Sequence, residues 1–224
     1  MNKYAVIIAG PSGAGKTTVA DCLIESLGNL EMSRSATTRE KRGDGRDNEY
    51  IYLQKDEFLQ SVSEGDMLEH TNYGGNYYGT RKVELERIWG MNKNPILVLD
   101  YNGVASLKAN LDIPVFAIYV YTSLKEAERR LIKRDAESTP TEKQKETLLK
   151  RLKSNVSDFL KLSDLSMLFD FYVENSALSL CVKEIEKALS AFARGDCVMS
   201  DGEKKRITEA FKEEAQASFE SPTL

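Results

Sequence analysis

The feature that most constrains this chain is a glycine-rich octapeptide near its N-terminus, Gly10-Pro-Ser-Gly-Ala-Gly-Lys-Thr17. It matches the pattern G-x-x-x-x-G-K-[ST], which binds phosphate groups when it joins a strand to a helix. The run before it, residues 4–9, is apolar and rich in β-branched residues, so it predicts a buried strand. The residues after it are apolar at helical spacing as far as Gly28, which predicts a helix that ends there. This context favours a phosphate-binding loop over a glycine-rich turn that binds nothing.

The residue types in this loop suit a polyphosphate accompanied by a magnesium ion. Glycines leave backbone N–H groups free to surround phosphate oxygens, and the N-terminus of the following helix favours the same negative charge. Lys16 adds a mobile cation for the outer phosphates, and Thr17 offers a hydroxyl group to Mg²⁺. The loop therefore predicts a bound nucleotide, but it does not define a reaction.

The order of the predicted elements indicates an α/β fold, with a parallel sheet and helices on both faces. Further buried strands are predicted at residues 95–100, 115–120 and 171–174, and helices at residues 81–90, 102–109, 123–134, 139–162 and 177–193. Ligands of such sheets bind at the carboxyl ends of the strands. Gly10 and Asp100 both follow a predicted strand, so we expect the site near them.

A small β-rich insertion is predicted between residues 33 and 81. It contains strands at residues 32–35 and 50–53, a helix at residues 56–64, and a hairpin that turns at residues 72–75. In the short helix, Phe58, Leu59 and Val62 are expected to face inward. In the later helix at residues 177–193, Leu180 is assigned to the apolar face.

The last thirty residues are polar and contain one more predicted helix. Ser200 and Glu203 have the spacing of a capping box at its start. An apolar stripe follows, formed by Ile207, Phe211, Ala215 and Phe219. The stripe leaves open whether this helix packs on the core or mediates self-association.

Composition limits the class of protein. The chain has 224 residues and a formal net charge of −4, which gives no general affinity for nucleic acids or membrane surfaces. No apolar run approaches membrane-spanning length and no signal-peptide pattern begins the chain, so a cytoplasmic location is expected. The three cysteines are far apart and are expected to be free thiols. A single histidine, His70, disfavours a Ser-His-Asp hydrolase or a histidine-rich metal site.

A second cluster of polar residues falls in and after the basic loop at residues 36–47. Its two arginines, Arg39 and Arg42, and its two tyrosines, Tyr50 and Tyr78, have the groups needed to hold another phosphate. Glu69 is unfavourable beside a phosphate unless it accepts hydrogen bonds from something else. Guanine offers two adjacent N–H donors to a carboxylate, whereas adenine offers no such pair. Glu69 therefore indicates a guanine base.

Five motifs, in their order and spacing, resemble those of the guanylate kinase family. They are residues 10–18, Ser35-Ala-Thr-Thr-Arg39-Glu-Lys-Arg42, Glu69, Gly75-Asn-Tyr-Tyr-Gly-Thr80 and Asp100-Tyr-Asn-Gly103. The similarity covers residues 4 to 190. The combination is much more specific than the phosphate loop alone. It implies an enzyme of purine nucleotide metabolism that transfers the γ-phosphoryl group of ATP to GMP with Mg²⁺ as cofactor.

The resemblance also implies a role for each matching residue. ATP would contact Gly10, Pro11, Ser12, Gly13, Ala14, Gly15, Lys16, Thr17 and Thr18, with Asn175 at the adenine and Thr17 at Mg²⁺. GMP would contact Ser35, Glu69 and Thr80 through its guanine, and Arg39, Arg42, Tyr50 and Tyr78 through its phosphate. The catalytic cations would be Lys16, Arg39 and three lid arginines, Arg130, Arg134 and Arg151.

Two functions and one residue role stay open at this point. Asp100 either caps the next helix or also contributes to Mg²⁺ or guanine contact. A guanylate-kinase-like domain that binds phosphopeptides, or a related small-molecule kinase, is the alternative function. The chain departs from the family pattern at Val98, where an acid is usual, and in a longer and more acidic lid at residues 134–140.

The chain is expected to divide into four parts, of which the C-terminal tail has no counterpart in the family pattern. A P-loop core would comprise residues 1–32, 82–129 and 152–193, with a GMP-binding subdomain at residues 33–81, a lid at residues 130–151 and a C-terminal helical extension at residues 194–224. The expected partners are ATP and GMP, with no nucleic acid and no membrane. The expected state is a monomer or a homodimer.

Overall fold

The structure is a computed structural model that describes residues 3–41, 43, 47–73, 75–135 and 142–220. The chain divides into two compact units. The first unit comprises Met1–Ile8 and Ala20–Phe116, and the second comprises Ala9–Val19 and Ala117–Leu224.

The helices and strands agree closely with the sequence pattern. The strands are β1 (Ala5–Ala9), β2 (Leu30–Met32), β3 (Ser35–Thr37), β4 (Tyr50–Tyr52), β5 (Met67–Tyr73), β6 (Asn76–Arg81), β7 (Asn94–Val98), β8 (Val115–Tyr121) and β9 (Phe171–Glu174). The helices are α1 (Lys16–Leu27), α2 (Lys55–Ser63), α3 (Lys82–Gly90), α4 (Tyr101–Asn110), α5 (Leu124–Asp135), α6 (Glu142–Leu162), α7 (Leu178–Ala193) and α8 (Asp201–Glu220). Short 3-10 turns lie at Asp47–Glu49 and Ser166–Leu168. The fold is α/β, with parallel strands flanked by helices, as predicted.

In the first unit, β7 lies between β2 and β1, and both pairings are parallel. Met32 is in register with Ile96, and Ile7 with Leu97. The side chains of β1 are buried along their whole length. Strands enclosed on both faces need continuous apolar runs, which explains why residues 4–9 lack the alternation of a half-exposed strand.

A second sheet in the first unit has the strand order β4-β3-β6-β5. Strands β5 and β6 form the predicted antiparallel hairpin, in which Tyr73 pairs with Asn76. The single strand predicted at residues 32–35 is instead two strands in different sheets. Ser33 still donates its N–H group to Ile96 of β7, at 2.9 Å. The Glu84 carboxylate accepts the N–H group of Arg34, and the chain then enters the second sheet.

One face of this second sheet is covered by α2. Phe58 of that helix is fully buried with Ala36 and Met67. A Cβ atom at Gly79 would lie 3.2 Å from the Phe58 ring, so the glycine lets the helix approach the strand. The prediction that Leu59 also faces inward was wrong, since its side chain is 40% exposed. It is turned about 100° from Phe58 around the helix, whose buried face runs through Phe58 and Ser61.

In the second unit, β8 and β9 are parallel, with Val120 in register with Val173. Helices α5, α6, α7 and α8 belong to the same unit. The apolar face of α7 includes Cys181, Val182 and Ile185. Leu180 was wrongly assigned to this face, because it lies in the first turn on the other side of the helix and is 60% exposed.

The C-terminal helix α8 packs against α6 and β9 within the second unit. The predicted capping box is present: Ser200 Oγ accepts the Glu203 N–H group, and Glu203 accepts the Ser200 N–H group at 2.9 Å. Phe211 and Ala215 of the apolar stripe are buried. The Phe219 side chain lies outside the described residues. Among the helices that the structure describes, none has the length and apolar character needed to cross a membrane.

Candidate active site

The phosphate loop of the second unit requires glycine because other backbone segments approach it closely. A Cβ atom at Gly10 would overlap the carbonyl oxygen of Val120. At Gly13 the added atom would come within 2.6 Å of the Ala127 carbonyl oxygen. Both glycines also have positive φ angles, 148° and 88°, which other residues rarely adopt. The loop is therefore fixed in shape by its surroundings.

Asn175 holds the middle of the loop from the side. Its Nδ2 atom donates to the Ala14 carbonyl oxygen at 2.8 Å, and the residue is only 5% exposed. A Cβ atom at Gly15 would lie 2.7 Å from the same nitrogen, so this glycine too is needed for the contact. The Asn175 N–H group bonds to the Tyr121 carbonyl oxygen at 2.7 Å. Asn175 thus links the end of β8 to the loop.

Lys16 bonds directly to the loop backbone. Its Nζ atom donates to the carbonyl oxygens of Gly10 and Pro11, at 2.8 and 2.9 Å. Helix α1 begins at Lys16, so Thr17 and Thr18 lie in its first turn, and both side chains are exposed. The structure therefore places a cation, a hydroxyl group and a helix N-terminus at the same loop.

The three predicted lid arginines differ in their surroundings. Arg130 on α5 donates to Glu126 at 2.7 Å and to the Asn175 carbonyl oxygen at 2.7 Å. Hydrogen bonds from Arg129 and Arg130 lower the pKa of Glu126 to about 2. Arg151 is half-buried on α6. Arg134 belongs to α5, but its side chain lies outside the described residues. Arg130 is thus joined directly to another predicted site residue, Asn175.

In the first unit, the strand register gathers the predicted acceptor residues on one face of the β4-β3-β6-β5 sheet. Partner residues of adjacent strands share a face. The pairs Ser35 with Tyr50, Thr37 with Tyr78, and Glu69 with Thr80 therefore lie on a common side, opposite the side that α2 covers. The Tyr50 and Tyr78 rings meet edge to face, with centroids 6.4 Å apart. We call this polar side of the sheet the acceptor face.

Glu69 and Asp100 are two carboxylates that converge on Gly103. Glu69 is 7% exposed and accepts a hydrogen bond from Thr80 Oγ1 at 2.6 Å. Asp100 caps α4 by accepting the Gly103 N–H group at 2.8 Å. A Cβ atom at Gly103 would lie 3.4 Å from an oxygen of each carboxylate. Burial raises the pKa of Glu69, and the Asp100 charge raises it further, while the Thr80 hydrogen bond opposes the rise.

Arg39 lies at the other end of the acceptor face. Its guanidinium group is 5.0 Å from the centroid of the Tyr50 ring, and its Nη2 atom is 3.4 Å from the Tyr52 hydroxyl oxygen. That hydroxyl donates to Asp47 at 2.7 Å. Partial burial and this hydrogen bond raise the pKa of Tyr52 to about 12. The Arg39 Nη1 atom is buried without a hydrogen-bond partner among the described residues, and Arg42 lies outside them.

The sequence interpretation missed four residues that support the site. Tyr52 contacts Arg39, Asp47 accepts the Tyr52 hydroxyl, and Thr37 accepts the Arg39 N–H group at 3.1 Å. The alternation of tyrosines at residues 50 and 52 could have drawn attention to Tyr52, because alternate residues of a strand share a face. Asn155, which bonds to Ser12, gave no such signal, since 143 residues separate the two.

The chain is similar to known proteins over most of its length. The family model described as guanylate kinase matches residues 2–192. The guanylate kinase of Clostridium perfringens strain SM101 is 37% identical over 83% of this chain and 82% of its own length. The human guanylate kinase is 34% identical over 83% of this chain and 91% of its own length.

A solved structure gives the same result for the fold. The crystal structure of guanylate kinase from Anaplasma phagocytophilum superimposes with a TM-score of 0.62 at 25% identity, and the alignment covers 85% of this chain and 86% of that one. Helix α8 lies beyond the residues that the family model matches. The phosphate loop, the acceptor face and these similarities together show that the chain belongs to the guanylate kinase family.

Proposed function

We propose that this protein is a guanylate kinase, which transfers the γ-phosphoryl group of ATP to GMP and releases ADP and GDP. The observation that carries the proposal is the buried Glu69 carboxylate on the acceptor face, where Thr80 and Asp100 surround it. Thr80 donates to this carboxylate, and the two oxygens of a buried carboxylate can accept further hydrogen bonds. The N1–H and exocyclic amine of guanine supply two adjacent donors.

The acceptor half of this proposal assigns GMP to the first unit. Its guanine contacts would come from Ser35, Glu69 and Thr80, with Asp100 as a further candidate, and its phosphate contacts from Arg39, Arg42, Tyr50 and Tyr78. The Arg39 Nη1 atom is buried and has no hydrogen-bond partner within the described part of the chain, which supports the phosphate assignment because a buried guanidinium nitrogen favours a charged acceptor.

The donor half assigns ATP to the phosphate loop of the second unit. Residues 10–18 would contact the phosphates, and Asn175 would lie at the adenine. The carbonyl contacts that Lys16 makes hold its ammonium group at the loop, where the outer phosphates would replace them. Arg130, Arg134 and Arg151 would act as the lid cations that close on the phosphates.

Magnesium fits the donor half because the protein and the substrate can both supply oxygen ligands to it. Thr17 lies exposed in the first turn of α1, next to the loop. Mg²⁺ is commonly held by one or two protein oxygens together with substrate phosphates and water, so the Thr17 hydroxyl suits it. When bound, the ion would neutralise charge on the phosphates of ATP.

The residues of this chain would act mainly by positioning and by positive charge. The transition state of phosphoryl transfer is loose and spreads negative charge over the equatorial oxygens. Lys16, Arg39 and the lid arginines would stabilise that charge, and no strong side-chain base is needed because the GMP phosphate is itself the nucleophile. Closure of the lid would exclude water, which otherwise hydrolyses ATP.

The decisive experiment is a coupled assay of ADP release with different nucleoside monophosphates. We expect rapid turnover with ATP, Mg²⁺ and GMP, and slow turnover with AMP. Absence of GMP-dependent turnover in folded protein would refute the proposal. Calorimetric titration with a non-hydrolysable ATP analogue then separates the alternatives: a phosphopeptide-binding domain would not bind it, whereas a kinase for another acceptor would.

The remaining assignments follow from the same proposal. The proposed division into core, GMP-binding subdomain and lid follows the family, whereas the C-terminal extension lies beyond the residues that the family model matches. We propose a cytoplasmic enzyme that works as a monomer or a homodimer. All three cysteines are unpaired, which accords with a reducing compartment. Sedimentation at several protein concentrations would measure the oligomeric state.

A further inference from the structure

Asn155 of helix α6 makes a two-point contact with the backbone of the phosphate loop. Its Oδ1 atom accepts the N–H group of Ser12 at 2.8 Å, and its Nδ2 atom donates to the carbonyl oxygen of Ser12 at 2.9 Å. The residue is 1% exposed. The amide therefore occupies both backbone hydrogen-bonding groups of one loop residue, and it fixes the position of that residue relative to α6.

Helix α6 is held in turn by the C-terminal helix. Asn155 and Phe159 are one turn apart on the same side of α6. Phe159 is fully buried and stacks on Phe211 of α8, with ring centroids 4.5 Å apart and planes inclined by 24°. Phe211 also meets the Tyr121 ring at 4.7 Å. Aromatic rings prefer particular packed geometries, so these contacts favour one position of α6 relative to α8.

The same helix α8 also fixes the start of α5. The Glu214 carboxylate accepts the N–H group of Leu124 at 2.8 Å, which satisfies one of the open donors in the first turn of α5. Helix α5 carries Ala127, whose backbone lies against Gly13 of the loop. Both helices that contact the loop are thus tied to α8.

We propose that Asn155 is a positioning residue for the phosphate loop, and that α8 braces α6 so that Asn155 holds the loop ready for ATP. The proposal rests on the proposed function for the identity of the nucleotide. A loop that is already in its binding conformation does not lose conformational freedom when ATP binds, so its affinity is higher. GMP affinity does not depend on this contact, because the proposed GMP residues belong to the first unit.

The first test compares Asn155→Ala with Ser154→Ala, a control at an exposed position of the same helix. In the apoprotein, amide hydrogen exchange in the peptide that contains Ser12 should become about tenfold faster in the Asn155 variant, since two hydrogen bonds are lost. It should not change in the control. Unchanged exchange in a folded Asn155→Ala protein would overturn the proposal.

The second measurement separates positioning from general destabilisation. We expect the KM for ATP to rise about tenfold in Asn155→Ala while the KM for GMP stays unchanged. Equal changes in both constants would indicate a merely structural role and would contradict the proposal. If the alanine variant fails to fold, Asn155→Asp takes its place in the exchange experiment. Aspartate has nearly the same size and keeps one of the two hydrogen bonds, so exchange should be faster than in the natural protein, but by less than tenfold.

A double-mutant cycle tests the brace. Phe211→Leu should raise the KM for ATP about threefold in the natural background, and it should add nothing once Asn155 is alanine. Independent, multiplicative effects of the two substitutions would show that α8 does not act through Asn155. Absence of GMP-dependent turnover in the natural protein would refute the proposed function instead. The hydrogen-exchange experiment would still test the role of Asn155 in that case.

Discussion

The phosphate loop and the acceptor face are held in place by different chemistry. Other segments hold the loop through neutral groups: the amides of Asn155 and Asn175 bond to its backbone, and glycines allow close approach, while the loop's own Lys16 bonds to two of its carbonyl oxygens. The acceptor face depends on ionisable groups, such as Glu69 beside Asp100 and Arg39 beside Tyr52. A loop that must bind a highly charged polyphosphate benefits from neutral supports, because fixed carboxylates nearby would repel the ligand.

The difference predicts where selectivity arises. Backbone N–H groups and a lysine recognise phosphate in any nucleotide. A buried carboxylate recognises a particular pattern of donors, because any unpaired partner carries a desolvation cost. We therefore expect substitutions in the loop to reduce turnover with all acceptors, and substitutions on the acceptor face to change which acceptor is used.

The largest expected effect is that of Lys16→Ala. Removal of the ammonium group from the loop should lower kcat by at least about 10³-fold, because we propose that this cation stabilises the transferred phosphoryl group. Thermal unfolding should change little, since the lost bonds go to loop carbonyls that water can solvate. Lys153→Ala, at an exposed position on α6, is the control and should retain full activity. Turnover within tenfold of the natural protein would show that the loop is not the donor site.

Arg39→Ala should have the next largest effect, and it should act on one substrate. We expect the KM for GMP to rise about 100-fold, because a charge-assisted contact to the acceptor phosphate would be lost, while the KM for ATP stays nearly constant. Initial-rate kinetics with each substrate varied in turn measures both constants. Lys82→Ala removes an exposed charge from the same unit and serves as the control. A rise confined to the KM for ATP would place Arg39 in the donor half.

Glu69→Gln should change the choice of base. Glutamine keeps an acceptor but loses the charge, and we expect the preference for GMP over AMP to fall by about 1–3 kcal/mol, which is about 5- to 150-fold in kcat/KM. The ratio of kcat/KM values for the two acceptors is the quantity to measure. Glu86→Gln is a matched exposed control on α3. If the Glu69 variant discriminates between GMP and AMP as the natural protein does, Glu69 does not read the base.

The smallest effect on turnover is expected for Glu84→Gln, which tests how charge holds the strands of the first unit. Burial alone would raise the pKa of Glu84, but hydrogen bonds from Arg87 and Arg34 lower this pKa to about 2. Because this value lies below that of the unfolded chain, the stabilisation is fully present above pH 4.5 and is lost as the pH falls toward 2.

We therefore expect Glu84→Gln to lower the free energy of unfolding by about 1 kcal/mol at pH 7. The effect is small because both arginines remain partly exposed to solvent. Denaturant unfolding at pH 7 and pH 3 measures the difference, which should shrink at the lower pH. A difference that grows on acidification would contradict the assigned role of Glu84.

Much of the fold follows from local sequence patterns, but the supports of the site do not. Continuous apolar runs predicted the core strands, and the loop consensus predicted the junction of β1 and α1, because both signals lie within a few adjacent residues. The contact between Asn155 and Ser12 joins segments 143 residues apart, so no periodicity could reveal it. The break between β2 and β3 depends on the Glu84 carboxylate, which comes from another helix. Leu59 and Leu180 were misplaced because an apolar residue beside a helical stripe can remain exposed.

The claim that GMP is the acceptor is tested most directly by following the transferred group. With ATP labelled at the γ-phosphate, Mg²⁺ and a mixture of equal GMP and AMP, the account predicts that the label appears in the β-phosphate of GDP and hardly at all in ADP formed from AMP. Label found mainly in inorganic phosphate, or equally in both diphosphates, would contradict it.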